Sequence, residues 1–356
     1  MNKGISITEL AAQIEAIERG KKDLVVPSTK MRMQDGRKLI VGTNGDREDF
    51  KISQLAHEQI GARLKIPREY YKRMQTEAPD LLDHNVNKWL ADKPEKRLVR
   101  TFDGNVRAVL SDRFKPKENY KVLENALPFI VDPANQIEIM SSNLSEKQMF
   151  VKVISHKLEG EVRVGQIVKG GFSLRNSEVG CGAFDMSLFV LTLACMNGML
   201  RENSMKEYHV GGRIKADEND NEEGIGIYSA ETIAADSHAF GLKVRDTLAH
   251  ALNRQKFDEE LVKFRLAAEN PLNTKYVSET IEDVTKRYNL NQDEGKDVLS
   301  RLLQGGDFTQ WGLSSAITNL AGAIKDYDRS TDLERIGGQI IDMPRSDWRE
   351  LSRLAA

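Results

Sequence analysis

Residues 97–110 have the sequence RLVRTFDGNVRAVL, and this stretch indicates how the first half of the chain folds. Residues 97–102 and 105–110 are rich in β-branched side chains and flank Asp103-Gly104, a pair favoured in two-residue hairpin turns. The stretch therefore predicts an antiparallel hairpin with its turn at residues 103–104.

Further elements are predicted on both sides of this hairpin. Ser53 is a suitable cap for a helix ending near residue 63, and Pro67 suits the first turn of the next helix. Other helices are predicted at residues 7–19 and 118–130. Strands are predicted at residues 24–33 and 38–41 around a turn at 35–36, and then at 136–140, 148–155, 166–175 and 184–196.

The pattern becomes helical after residue 230. Apolar residues at helical spacing predict helices at residues 230–254, 258–269, 277–288, 292–303 and 314–327, with a short one around 348–351. These elements predict an α+β fold with a mostly antiparallel sheet, followed by an all-helical C-terminal region. We expect an α+β domain at residues 1–216, an acidic linker loop at 217–229 and a helical region at 230–356.

The net charge of −2 over 356 residues conceals an uneven distribution. Residues 1–121 carry 25 Lys and Arg against 18 Asp and Glu, a net of +7. Residues 122–216 are neutral, and residues 217–356 carry 17 against 26, a net of −9. The basic front suits a polyanionic partner such as nucleic acid, and the acidic back does not.

Several classes of protein are excluded by motifs that the sequence lacks. We find no phosphate-binding P-loop, no paired metal ligands and no apolar run of membrane-spanning length. We therefore expect no cofactor and no metal, lean against an enzyme, and expect a cytoplasmic protein. The two cysteines, Cys181 and Cys195, are too few for a disulfide scaffold and are expected to be reduced thiols.

The predicted hairpin brings two arginines together. A two-residue turn at 103–104 places Arg100 directly opposite Arg107, and like charges in that position repel unless something negative lies between them. The functional interpretation is a phosphate clamped by both guanidinium groups. The structural interpretation is an internal carboxylate, either Asp112 or Glu178.

Two segments combine basic and aromatic side chains, as single-stranded nucleic acid requires for backbone contact and base stacking. One contains Arg113, Phe114, Lys115 and Lys117, and the other contains Tyr70, Tyr71, Lys72 and Arg73. Tyr71 and Met74 are also spaced to lie in a core. A third interpretation is a helix-turn-helix over residues 54–73.

Several separated stretches resemble the phage/plasmid-like protein family, a domain of unknown function found on phages, prophages and conjugative elements. They are residues 62–74 (ARLKIPREYYKRM), 107–114 (RAVLSDRF), 176–180 (NSEVG), 195–198 (CMNG) and 311–329 (WGL through DR). The resemblance implies a mobile-element gene and a bacterial cytoplasm.

The role of the 176–180 and 195–198 motifs is open. Asn176, Ser177 and Glu178 suit a turn with polar bonds to the backbone, and Glu178 can also neutralise the two arginines or act as a catalytic carboxylate. Asn197-Gly198 suits a hairpin turn.

Three functions are compatible with these patterns. The first is single-stranded DNA binding in recombination or replication, with strand annealing that needs no ATP and a homo-oligomeric assembly. The second is an inhibitor of a host defence or replication factor that acts through residues 230–356. The third is an enzyme with an unrecognised site around Glu178.

Overall fold

The computed structural model describes residues 4–43, 46–92, 94–193, 196–209 and 230–353. Its first part contains, in chain order, α1 (Ile7–Gly20), β1 (Lys21–Pro27), β2 (Met31–Gln34), β3 (Lys38–Thr43), β4 (Asp46–Ile52), α2 (Gln54–Arg63), α3 (Arg68–Glu77), α4 (Pro79–Asp92), β5 (Lys96–Phe102), β6 (Asn105–Ser111), α5 (Asn119–Val131), β7 (Ile137–Leu144), β8 (Met149–Glu161), β9 (Ile167–Asn176), β10 (Phe184–Thr192) and β11 (Asn197–Glu207). The predicted acidic linker at 217–229 and Cys195 lie outside the described residues.

The second part is helical. It contains α6 (Ala230–Ala251), α7 (Arg254–Glu269), α8 (Val277–Arg287), α9 (Gln292–Gly305), α10 (Gln310–Ala323), α11 (Tyr327–Ile341) and α12 (Arg345–Ser352). Two mostly antiparallel sheets followed by these helices confirm the α+β fold class. No helix in the described ranges has an apolar stretch that could cross a lipid bilayer.

The first sheet has the strand order β1-β5-β6-β4-β3-β2 and is antiparallel except where β4 meets β6. Helices α2, α3 and α4 cover one of its faces, because their apolar side chains share a core with the sheet. Asp103 and Gly104 have φ of 49° and 69°, the left-handed pair that a tight hairpin turn needs. The hairpin predicted from residues 97–110 is therefore confirmed.

The second sheet has the order β11-β10-β9-β8-β7 and is covered on both faces. Helices α1, α5 and α6 pack on one face around Phe172 and Phe184. Helix α7 packs on the other face with Trp311 of α10, and α8–α12 enclose a core of their own. The helical region thus shares two hydrophobic cores with strands that precede residue 216.

Some predicted elements differ from the structure. The strand expected at residues 24–33 is two strands, because Pro27 is followed by a 3₁₀ turn at Ser28–Lys30. Asn197-Gly198 is not the turn of its hairpin: Asn197 pairs with Thr192, so both residues already belong to β11. Elements α4, β4 and α11 were not predicted from the sequence.

Candidate nucleic-acid interface

Helix α3 presents the clearest basic surface among the predicted residues. Its N-cap is Pro67, and its buried side chains Tyr71 and Met74 attach it to the core of the first sheet. The other residues between positions 68 and 73 are exposed to solvent, and Tyr70 is 46% exposed. We define the α3 face as the exposed residues Arg68, Tyr70, Lys72 and Arg73, which share the exposed side of the helix with Glu69.

The charges of the α3 face are only weakly paired. An Nη2 atom of Arg68 lies 3.0 Å from Oε1 of Glu58, and Nε of Arg73 lies 2.9 Å from Oε2 of Glu77. Ion pairs between exposed side chains contribute about 0–1 kcal/mol, so a phosphate can replace these carboxylates at little cost.

Tyr71 differs from its neighbours because it belongs to the core. Its hydroxyl lies 2.9 Å from Nδ1 of His57, and burial raises the pKa of Tyr71 above its usual value. The predicted role of Tyr71 as a stacking platform is therefore not available in this conformation, and its i, i+3 partner Met74 is also buried.

The second predicted segment packs around His209. The ring of Phe114 stacks on the imidazole with centroids 5.1 Å apart. The Lys117 ammonium lies 3.6 Å from Oε2 of Glu207 and 4.3 Å from the centroid of the Phe240 ring. Arg113 and Lys115 are exposed, so the segment offers solvent two cations without the aromatic ring.

Arg100 does not face Arg107, contrary to the predicted register. Arg100 pairs with Ala108 and Thr101 pairs with Val106, which leaves Arg107 as the extra residue of a β-bulge. A two-residue turn fixes the pairing of the residues next to the turn, but a bulge shifts the pairing of all residues beyond it. The sequence does not show where a bulge occurs.

Arg100 is almost completely buried, with 1% of its surface exposed. Its Nε donates to Oδ1 of Asp23 at 3.0 Å, its Nη2 to Oε1 of Glu118 at 2.7 Å, and its Nη1 to the backbone oxygen of Glu178 at 2.8 Å. All three guanidinium nitrogens have internal acceptors, so Arg100 holds the two sheets together and is not part of the interface that we propose below.

Glu178 is the internal carboxylate beside Arg107, one of the two candidates expected from the sequence. Its Oε2 accepts from Nη2 of Arg107 at 3.0 Å, and its Oε1 accepts from the backbone N–H of Asn119 at 2.7 Å. Burial and the neighbouring Glu118 carboxylate raise the pKa of Glu178, while Arg107 opposes that shift. Although burial opposes it, Arg100 and Lys21 hold the pKa of Glu118 below its usual value.

The other motif residues make structural contacts. Asn176 donates from Nδ2 to the backbone oxygen of Lys117 and to Oδ1 of Asn119, and Ser177 donates to the backbone oxygen of Lys147. These bonds fix the loop after β9 against the N-terminus of α5. The motif therefore forms the joint between the two sheets.

The residues of the 195–198 motif that the structure describes contact the helical region. Asn197 donates to the backbone oxygen of Ser315 at 3.4 Å. A Cβ at Gly198 would lie 2.6 Å from the Phe189 ring and 3.0 Å from Oε1 of Glu334, so only glycine fits there. Both residues bring β11 close to α10 and α11.

The first sheet has a basic face that was not predicted from the sequence. Arg32, Lys38, Arg47 and Lys51 are exposed, and the strand register places them with Asp49 on the face opposite α2–α4. The signal was the alternation of charged residues along β4, which was not interpreted because β4 was not predicted. We call these four basic residues the sheet face.

Two side-chain features in the described part of the chain concern metal binding and nucleophilic chemistry. No three His, Cys, Asp or Glu side chains there lie close enough together to hold a metal ion. Burial raises the pKa of the Cys181 thiol to about 11, which disfavours a nucleophilic thiolate.

Comparison with known proteins adds no relative. The chain matches no family model, no curated protein and no solved structure.

Proposed function

We propose that the protein binds single-stranded nucleic acid, with single-stranded DNA favoured, through the α3 face. The observation that carries this proposal is an exposed aromatic ring, Tyr70, on the same helix as three exposed cations, with Arg73 one turn from it and Arg68 and Lys72 further around the helix. Cations follow the phosphate backbone, and an exposed ring stacks on bases that are not paired.

The biological setting is inferred from the sequence resemblance alone. A protein of a phage, prophage or plasmid that binds single strands in the host cytoplasm would act in recombination or replication. Annealing of complementary strands without ATP fits the absence of a P-loop motif from the sequence.

The direct test is fluorescence anisotropy with a labelled single-stranded oligonucleotide over a salt series. The triple variant Arg68→Gln, Lys72→Gln, Arg73→Gln should weaken binding and reduce the slope of log K against log salt by about 2, because each lost contact with a single strand contributes about 0.7. Tyr70→Ala should weaken binding about fivefold or more with an unchanged slope, because stacking releases no counterions.

The matched control removes the same charge elsewhere. Arg32→Gln, Lys38→Gln, Lys51→Gln takes three cations from the sheet face, and we expect a smaller loss of affinity and a smaller change in slope. An equal loss from both triple variants would show that binding follows net charge alone. The proposal is wrong if the wild-type protein shows no salt-sensitive binding at micromolar concentration. Tighter binding to duplex than to single strands would instead favour the helix-turn-helix interpretation.

A further inference from the structure

A pocket of about 380 Å³ lies between α2 and α3, next to the α3 face. Its inner wall consists of buried His57, Gly61 and Tyr71, and the half-buried side chain of Ile66 adds apolar surface. Its remaining lining residues are Gln54, Glu58, Ala62, Arg68 and Lys72. Small-ligand pockets span about 300–1,000 Å³, so this one suits a single small ring system with its substituents.

The inner wall of the pocket has two neutral polar groups, the imidazole of His57 and the hydroxyl of Tyr71. Burial lowers the pKa of His57 to about 4, so its imidazole is uncharged at neutral pH. Nδ1 is engaged with the Tyr71 hydroxyl at 2.9 Å, and within the described part of the chain we find no protein partner for Nε2. A neutral ring nitrogen at the wall suits hydrogen bonding to an uncharged heterocycle better than binding of an ion.

The mouth of the pocket has a net positive charge, because two cations lie there with one carboxylate, Glu58, whose Oε1 is 3.0 Å from Nη2 of Arg68. Arg68 and Lys72 are exposed, line the pocket and belong to the α3 face. They are four residues apart in α3, so they lie on the same side of the helix, one turn from each other. A partly apolar slot with a net positive mouth matches the chemistry of a base that carries phosphates on its sugar, and a phosphate would have to displace Glu58 from Arg68.

We propose that this pocket receives one unstacked base of a bound single strand, while Arg68 and Lys72 contact the phosphates beside it. The inference rests on the proposed function and adds a base-binding site to it. The occupied pocket would account for single-strand preference, since a base in a duplex cannot enter it without leaving its stack.

The test fills the pocket without changing charge. Ala62 and Gln54 are exposed and line the pocket, so Ala62→Leu and, separately, Gln54→Phe should narrow it from two ends of α2 while the core remains intact. Thr76→Leu adds similar apolar bulk to the exposed side of α3, outside the pocket lining, and is the matched control. Thermal unfolding of each variant confirms that it is folded.

Each variant is titrated with a normal oligonucleotide and with an abasic one of the same length. Both filling variants should bind the normal strand at least about fivefold more weakly, the lower range for loss of one protein–base contact, with the salt slope unchanged. The abasic strand should bind wild type weakly and should not distinguish the variants. Thr76→Leu should bind like wild type.

Other outcomes separate the inference from the proposed function. If the α3 triple variant loses binding but both filling variants retain it, the base pocket is wrong and the α3 face stands. Another outcome is that a deoxynucleoside monophosphate raises the melting temperature of wild type but not of Ala62→Leu, while both proteins bind the single strand equally well. In that case the pocket holds a free nucleotide, and the proposal that it receives a base of a bound strand is wrong. If wild type binds no single strand, both proposals fail.

Discussion

At the scale of single residues, burial decides which arginines can meet a ligand. Arg100 and Arg68 are both cations in the basic part of the chain, but Arg100 is enclosed by Asp23, Glu118 and the Glu178 backbone, whereas Arg68 faces solvent. A buried cation with three internal acceptors is not free to bind phosphate unless those acceptors lose their partner.

We therefore expect Arg100→Ala to lower stability rather than affinity for nucleic acid. Removing one member of a buried ionic network costs about 3–5 kcal/mol, and we expect a value near the lower end because Asp23 retains access to water. Urea unfolding of the variant measures this loss. Arg113→Ala, which removes an exposed cation, is the control and should change stability by less than about 0.5 kcal/mol. Unchanged stability with lost DNA binding in Arg100→Ala would restore the phosphate-clamp interpretation.

His209 should make stability depend on pH. Burial and the nearby Lys117 ammonium lower the pKa of His209 to about 4, and its Nδ1 already accepts the Lys117 backbone N–H at 3.0 Å. In the unfolded chain the imidazole of His209 is protonated below about pH 6.5, whereas in the folded protein it is protonated only below about pH 4. The unfolded state therefore binds more protons between these values, and the free energy of unfolding falls as the pH falls through this window. The contribution of His209 to this loss between pH 7.5 and pH 5 is about 2 kcal/mol.

Unfolding at pH 7.5 and pH 5 measures this effect. His209→Asn keeps an acceptor for the Lys117 N–H but does not titrate, so its difference between the two pH values should be smaller than that of wild type by about 2 kcal/mol. His84→Asn removes an exposed imidazole as the control. Identical pH differences in wild type and His209→Asn would contradict the assignment.

At the scale of elements, α2 and α3 are held close by a glycine. A Cβ at Gly61 would lie 2.8 Å from Cδ2 of Tyr71, a ring atom next to the attachment point of the side chain. The hydroxyl at the other end of the same ring is hydrogen-bonded to His57. Gly→Ala inside a helix usually stabilises by about 1 kcal/mol, but overpacking costs about 1–3 kcal/mol and should reverse the sign here. Thermal unfolding should show a lower melting temperature for Gly61→Ala.

Gly305→Ala is the matched control for this substitution. Gly305 is also helical, but a Cβ there meets nothing within 4 Å, so this change should leave stability unchanged or raise it. A higher melting temperature for Gly61→Ala would show that Tyr71 moves aside without cost, and the contact between α2 and α3 would then be looser than the structure indicates.

Local chemistry explains which elements were predictable. The 97–110 hairpin and α2 follow from Asp103-Gly104 and from Ser53, whose side chain caps the first turn of α2. Helix α11 was not predicted, and the helix expected at residues 314–327 crosses the break between α10 and α11. The break is made by Asp326, whose side chain accepts from the Arg329 backbone N–H.

The candidate site was only partly predictable because burial of a charge depends on distant partners. The sequence correctly grouped Tyr70, Lys72 and Arg73 on one helix, since helical periodicity is local. It could not show that Asp23 and Glu118 enclose Arg100, because these residues are separated from it by 77 and 18 positions. The pocket beside α3 also depends on how two helices approach each other, which periodicity does not specify.

At the scale of the whole molecule, a buried ion pair joins the second sheet to the helical region. Nζ of Lys152 on β8 donates to Oε2 of Glu334 on α11 at 2.6 Å and to Oγ1 of Thr331 at 3.0 Å. Both charged side chains are 1% exposed, and burial lowers the pKa of Lys152. The ammonium also lies 4.7 Å from the centroid of the Tyr327 ring. The sheet and α11 therefore depend on each other electrostatically.

A double-mutant cycle of Lys152→Met, Glu334→Leu and the double variant should show that this pair contributes little net stability. Lys152→Met leaves a buried carboxylate without its counter-charge and should cost about 3–5 kcal/mol. Adding Glu334→Leu removes that unpaired charge, so the double variant should recover most of the loss. Chemical unfolding measures the free energy of unfolding of each variant. Additive losses in the double variant would show that the two charges act independently.

If Lys152→Met shifts a single transition, the sheet and helices unfold together, whereas a new early transition would show that α11 separates from the sheet first.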